Sequence, residues 1–299
     1  MVPRSKLWLG LAICLGIPGS SFAQDFDKVQ IRSVKAADGI YMLTGSGGNI
    51  GVSAGENGVL LIDSQFGQLH DKIKAAIAGF HGGPVRFVLN TNWHYDHALG
   101  NEMFRKEGAV IIAQDNSGTR MKSDQLHDVI NAKTPAYPPA AWPEITFASS
   151  LTLNFNGDVI DVIHIANAHS DADAVFRFRK AKVIHTGDLF FSGGYPYIDI
   201  GNGGSVNGMI AAADQLLKLI GEDYRVIPGH GPLSDRQRLQ EYRAMLATVR
   251  DRIMRLIKEG KKLEEAVAAK PTSDLDKAWG GAMSPDLFAS LVYKDLARR

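Results

Sequence analysis

Within the stretch Thr91–Asn101, which reads TNWHYDHALGN, the residues His94, Asp96 and His97 bring two imidazoles and a carboxylate into four positions. On a tight turn such side chains converge on a small volume, and neutral imidazole with carboxylate suits Zn²⁺ or another borderline divalent metal. Three later segments repeat the design: Asn167-Ala168-His169-Ser170, Thr186-Gly187-Asp188 and Pro228-Gly229-His230-Gly231. The single cysteine, Cys14, falls in the N-terminal leader, so no thiolate is available as ligand or nucleophile once the leader is removed. Any metal must be held by His, Asp and Glu.

The elements that position these residues are short strands. Strand patterns cover Gly39–Gly45, Asn49–Ser53, Val59–Asp63, Val85–Asn90, Ala109–Gln114, Leu151–Asn156, Val159–Ile165, Ala174–Arg179, Lys182–His185 and Arg225–Ile227. Glu56-Asn57-Gly58 and Asn156-Gly157-Asp158 read as hairpin turns. Each chemistry-bearing segment follows a strand, and strand ends are where α/β proteins place their sites. Apolar stripes predict helices through Leu69–Phe80, Met209–Ile220 and Ser234–Glu259, the last with an N-cap at Ser234-Asp235. The order suggests two similar α/β halves, each a sheet covered on one face by helices, with the sheets packed together. Pro135–Pro143, carrying Tyr137 and Trp142, is a linker between the halves or a loop over a site.

From about Gly39 to Gly231, the set resembles the metallo-β-lactamase superfamily. Its signature is H-x-H-x-D-H, then a lone His in A-H-[ST]-x-x-D, then G-D, then G-H-G, and all four segments occur here in order. The resemblance implies a four-layer αββα sandwich with a metal site at one edge of its two sheets, and extra C-terminal helices from about residue 234. It implies one or two Zn²⁺ or other divalent ions, with His94 and His169 on the first, Asp96, His97 and His230 on the second, and Asp188 bridging. It further implies a metal-held hydroxide as nucleophile, with Asp96 orienting it as the catalytic residue.

The chain departs from that signature at Asn92, which stands where the first histidine belongs. A carboxamide oxygen is the weaker ligand, so the second position is filled alone under limiting metal, or Asn92 holds a water in the gap. One β-lactamase subclass also carries Asn here, but with a cysteine where this chain has Asp188, a residue that resembles the glyoxalase II and lactonase side of the superfamily. Of the other histidines, His70 and His127 are expected to be solvated. His81 is expected in a turn, His164 within a strand, and His185 is a candidate to support the site from behind. Asp63 and Asp173 are expected to orient ligand histidines. Tyr195, Tyr197, Tyr137 and Trp142 are candidate substrate-wall residues, while Phe190 and Phe191 read as core.

Residues 1–23 read as a secretory signal peptide: Arg4 and Lys6, an apolar run from Leu7 to Ile17, and Ser21-Phe22-Ala23 at the cleavage end. The run is too short to span a membrane, and Ile13 before Cys14 argues against a lipid anchor. A secreted, periplasmic protein with no stable membrane anchor is expected, its hydrolase unit running over residues 24–299. The 33 basic and 32 acidic residues leave no strong net charge, which argues against nucleic acid as a partner and for a small-molecule substrate. The expected activity is hydrolysis of a carbonyl bond in a lactone, ester, thioester or β-lactam. Its rivals are a class B-type β-lactamase proper and a non-catalytic binding protein on the same fold. Nothing in the sequence fixes the oligomeric state.

Overall fold

The computed structural model describes residues 25–127 and 132–298. The expected signal peptide and Cys14 lie outside the described residues. Two large sheets carry the fold. The first has seven strands in spatial order: Arg32–Ala37, Ile40–Thr44, Ile50–Gly55, Gly58–Ile62, Val85–Leu89, Val110–Gln114 and Ile145–Phe147. The second has six: Ser150–Phe155, Asp158–His164, Ala174–Phe178, Val183–His185, Arg225–Ile227 and Ser234–Asp235.

Alternation along the strands builds the layers. In Gly58–Ile62, Leu60 and Ile62 pack with Ile160, Val162 and Phe176 of the second sheet. Val59 and Leu61 point the other way, into a cluster with Leu69, Ile73 and Ile77 from the helical segment around His70–Ala78. In the second sheet, Val175, Ile184 and Val226 turn away from the sandwich, toward the helices Val206–Leu219, Arg236–Lys258 and Pro285–Ala297. Burying both faces of both sheets gives the four layers α, β, β, α. Burial of large aliphatic side chains on this scale is worth roughly 1.5–3 kcal/mol each before chain entropy is counted.

Each sheet begins as an antiparallel meander and continues with parallel pairing, three parallel pairs in the first sheet and one in the second. Gly58–Ile62 runs parallel to Val85–Leu89, and Val183–His185 runs parallel to Arg225–Ile227. Parallel neighbours release their C-terminal residues at the same edge. That direction sets Asp63 beside Thr91 and Asp188 beside His230. The turns Asn57 and Asn156 tie the sheets together: each backbone N–H donates to the other's side-chain oxygen, at 2.9 and 2.8 Å. Asn156 and Gly157 both have positive φ, which is the conformation the Asn-Gly turn predicts.

The strands Arg32–Ala37, Gln125–His127, Ala132–Thr134, Ile145–Phe147 and Ser234–Asp235 were not expected from the pattern. They are short, edge-placed or polar, so alternation is weak in them. Ser234-Asp235 still opens a helix as expected, because the Asp235 carboxylate accepts the Arg238 N–H at 2.9 Å. Pro135–Pro143 leads from the small hairpin toward Ile145–Phe147 and packs Tyr137 and Ala141 against Trp93. Among the described residues no helix is long and apolar enough to cross a membrane.

Candidate active site

Four strand ends converge at one edge of the sandwich. After Val85–Leu89 the chain passes through Thr91, and His94 then caps a single helical turn, Tyr95–Ala98. That turn carries Asp96 and His97. His169 follows Asp158–His164, Asp188 sits in a 3₁₀ turn after Val183–His185, and His230 follows Arg225–Ile227. The six residues form two groups whose donor atoms lie within 4.8 Å of one another: His94, His169 and Asp188, and Asp96, His97 and His230. Asp188 joins them, with one oxygen 3.1 Å from His97 Nε2 and 3.5 Å from His169 Nε2, and the other 3.3 Å from His230 Nε2.

Carboxylates fix two of the rings from behind. His97 Nδ1 lies 2.7 Å from Asp63 Oδ2, and His169 Nδ1 lies 3.0 Å from Asp173 Oδ1. Asp63 also accepts the backbone N–H and the hydroxyl of Thr91, each at 2.7 Å, and it holds a left-handed backbone, φ 67°. A left-handed non-glycine residue costs about 1–3 kcal/mol and persists only where its surroundings enforce it, as the three hydrogen bonds to Asp63 do. His230 is stacked on Phe191, with ring centroids 4.8 Å apart. Glycine is required where backbone meets these side chains. A Cβ at Gly229 would fall on Asp188 Oδ1, and one at Gly48 would fall on the His97 ring.

The electrostatics follow from this crowding. Burial opposes a charge on Asp188, but His97, His169 and His230 outweigh it and hold its carboxyl well below the ordinary range. Burial likewise opposes protonation of His97, yet Asp188, Asp96 and Asp63 raise its pKa well above the usual value. His169 is pushed up to about 9, with Asp173 and Asp188 overcoming burial. His94 goes the other way, because burial outweighs its contact with Asp199. His185 is lowered to about 4 by burial. Its neutral ring accepts the Gly187 N–H at Nδ1 and lies 3.1 Å from the Asn49 carbonyl at Nε2, so it holds the turn that presents Asp188.

The residues present fit a metal. His97 Nε2, His169 Nε2 and Asp188 Oδ1 are buried and have no hydrogen-bond partner, though they face one another. Buried polar atoms of this kind need an explanation, and a cation shared among them provides one. Asn92 does not join the donor set. Its oxygen accepts the His94 N–H at 2.8 Å and its amide nitrogen donates to Asp188 at 3.2 Å, so it braces the motif turn and steadies the carboxylate.

Several expectations are corrected. His127 and His70 are buried, not solvated. His70 packs edge-on to Phe104, and His127 stacks on Trp93 with Nδ1 3.3 Å from Asp199. Tyr195 is core: its ring stacks on Phe288 and its hydroxyl donates to Asp276 at 2.8 Å. Tyr137 and Trp142 brace the motif from behind, the Tyr137 hydroxyl donating to the Trp93 carbonyl and the Trp142 indole to the Tyr137 carbonyl. Tyr197 is the candidate wall residue that does lie at the site, its ring 6.0 Å from His94 and 6.2 Å from His169. Asp199, which sequence reasoning missed, sits 3.1 Å from His94 Nε2. The signal was an acid inside the apolar run Tyr195–Ile200, where a carboxylate is rarely buried without a partner.

Comparison with known proteins agrees with this geometry. The family model described as the metallo-beta-lactamase superfamily matches residues 43–230, more than half of the chain. No curated protein matches it. Among solved structures, a metallo-beta-lactamase from Pontibacter korlensis is 18% identical, with TM-score 0.61, covering 73% of this chain and 99% of its own. The DIM-1 metallo-beta-lactamase is 21% identical, with TM-score 0.58, over 74% of this chain and 99% of its own. The inverting sec-alkylsulfatase Pisa1 from Pseudomonas sp. is 16% identical, with TM-score 0.65, over 88% of this chain. The match covers 50% of the alkylsulfatase, so this chain spans about half of that protein's length. At these identities the likeness is one of fold.

Proposed function

The chain belongs to the metallo-beta-lactamase superfamily, and on that premise we propose that it is a secreted zinc-dependent hydrolase that cleaves a carbonyl bond in a lactone, ester, thioester or β-lactam. The observation that carries the reading is the convergence of His97, His169 and Asp188, with buried donor atoms that find no hydrogen-bond partner while carboxylates orient both rings. A divalent cation held by these residues would supply acidified water, its pKa lowered from about 15.7 toward about 7, and would polarise an acyl oxygen.

The protein's own part is positional. Asp63 and Asp173 fix the tautomers of His97 and His169, so that Nε2 of each ring faces inward. Asp96 is the donor carboxylate that keeps access to solvent, its side chain 30% exposed and one oxygen 3.3 Å from His230 Nε2. It is placed to orient an attacking water and to hold the proton it releases. Tyr197 walls the site beside His94 and His169. Export rests on residues 1–23, and outside the cytosol a lactone, ester or β-lactam suits better than a glutathione thioester.

The test is a hydrolysis screen of the mature chain with one and two equivalents of Zn²⁺. The panel holds a chromogenic cephalosporin, lactones, thioesters, aryl esters and a secondary alkyl sulfate. Turnover of a carbonyl substrate that is lost on chelation supports the reading. Turnover of the sulfate alone, or tight binding of a panel member with no turnover in any metal form, overturns it.

A further inference from the structure

His94 belongs to two donor sets. One is the triad with His169 and Asp188, and the other joins it to His127 and Asp199, again with donor atoms within 4.8 Å of one another. All three residues of this second set are buried. Asp199 Oδ2 lies 3.1 Å from His94 Nε2 and 3.3 Å from His127 Nδ1, and it accepts the Asn202 amide at 2.9 Å. Asp199 Oδ1 is buried and has no hydrogen-bond partner. Among the described residues the ion-pair partners of Asp199 are these two histidines. A buried carboxylate oxygen left without a partner needs an explanation, and a cation supplies one.

The distances in this second set are compatible with a shared cation. Metal bonds of about 2.0–2.1 Å in tetrahedral geometry put neighbouring donors roughly 3.3 Å apart, longer than the ~2.7–2.9 Å of a charge-assisted hydrogen bond. The orienting pairs, His97 with Asp63 and His169 with Asp173, stand at 2.7 and 3.0 Å. The pairs facing into the two expected positions stand at 3.1, 3.3, 3.5 and 3.7 Å. His94 and His127 with Asp199, at 3.1 and 3.3 Å, fit the donor spacing as well as they fit hydrogen bonds, and the unpartnered Asp199 Oδ1 is what favours a cation. His127 is also prepared as a ligand: its Nε2 pairs with the Thr134 hydroxyl at 2.8 Å, its ring rests on Trp93, and Nδ1 is turned to Asp199. The Tyr197 hydroxyl lies 3.4 Å from the same Nδ1.

We propose that His94, His127 and Asp199 form a metal position of their own, which takes a borderline divalent cation such as Zn²⁺ where Asn92 leaves the expected first position short of a ligand. This position competes with the expected one for His94. The proposal rests on the metal-dependent reading but not on any substrate.

Its test reads metal content and Co²⁺ absorption, not turnover. Wild type, His127→Gln, Asp96→Ala/His97→Ala and the triple variant are loaded with Zn²⁺ or Co²⁺, dialysed and analysed for metal per chain. The Asp96→Ala/His97→Ala protein should keep metal, and adding His127→Gln should weaken its Co²⁺ affinity at least tenfold and change the visible spectrum. Unchanged affinity and spectrum on adding His127→Gln would overturn the proposal and leave Asp199 as a positioning residue for His94. So would loss of the remaining metal on His169→Ala with indifference to His127→Gln. If His127→Gln does not fold, Thr134→Val removes only the orienting bond and should weaken Co²⁺ binding by a smaller factor; no change overturns the proposal. Wild type that holds no metal would sink the metal-dependent reading as well, which separates the two failures.

Discussion

The two halves of the site are built to different standards. Around His97 every part is braced: Asp63 holds Nδ1 at 2.7 Å, Phe191 stacks on His230, and Gly48 gives the ring its space. Around His94 the first motif histidine is replaced by Asn92, whose oxygen is spent on the motif's own backbone, and His94 leans toward Asp199 and His127. One side-chain exchange therefore does more than remove a ligand. On the proposed assignment it also leaves the neighbouring histidine to serve a second set of donors. The His97 half should set how tightly the first metal is held, and the His94 half should set where a further one goes.

The largest effect expected from breaking this contrast is at Asp96. Asp96→Ala should lower kcat by roughly 10²–10⁴-fold against the best panel substrate, as loss of a general base does, measured at saturating Zn²⁺. A loss below tenfold would remove its catalytic role. Next, Asp63→Ala should weaken metal binding by about 10–100-fold, the usual cost of losing a partner that orients a ligand histidine. Zn²⁺ titration against a competing chelator reads this, and Asn92→Ala should move the same constant less. An equal loss from both would erase the distinction between the halves.

A third effect concerns pH. His185 titrates at about 4 in the fold against an ordinary 6.5, because burial penalises the charged ring. The unfolded chain therefore takes up the proton first. The His185 contribution is complete above pH 6.5 and falls as pH drops toward 4, by about 3 kcal/mol. Denaturant unfolding of metal-free wild type and His185→Gln at pH 7.5 and 4 should show their difference shrinking by that amount; a constant difference would contradict it. The smallest effect separates two tyrosines. Tyr195→Phe removes the bond to Asp276 and should cost about 0.5–1.5 kcal/mol of stability with KM unchanged, while Tyr197→Ala should raise KM. A KM change in Tyr195→Phe would return that residue to the substrate wall.

Much of this was legible from residue order. The sandwich could be read because strands such as Gly58–Ile62 and Val183–His185 are apolar runs bounded by turns, and the donors could be read because each follows such a run. His127 was misread for a physical reason. In the hairpin strand Gln125–His127 the apolar Leu126 is 61% exposed while its polar neighbours face inward, so alternation points the wrong way. Asp199 lies in no motif and meets His94 from 105 residues away, a closeness only the fold supplies. Tyr195 and Tyr197 sit two positions apart in an irregular loop, where sequence offers no period to say which faces the site.

The most direct test of the central claim is the zinc content of the purified mature chain after dialysis against metal-free buffer. At least one tightly held equivalent per chain is expected, lost when His94, His97 and His169 are all replaced by alanine. A folded wild-type chain that keeps no zinc would contradict the metal-hydrolase account at its root.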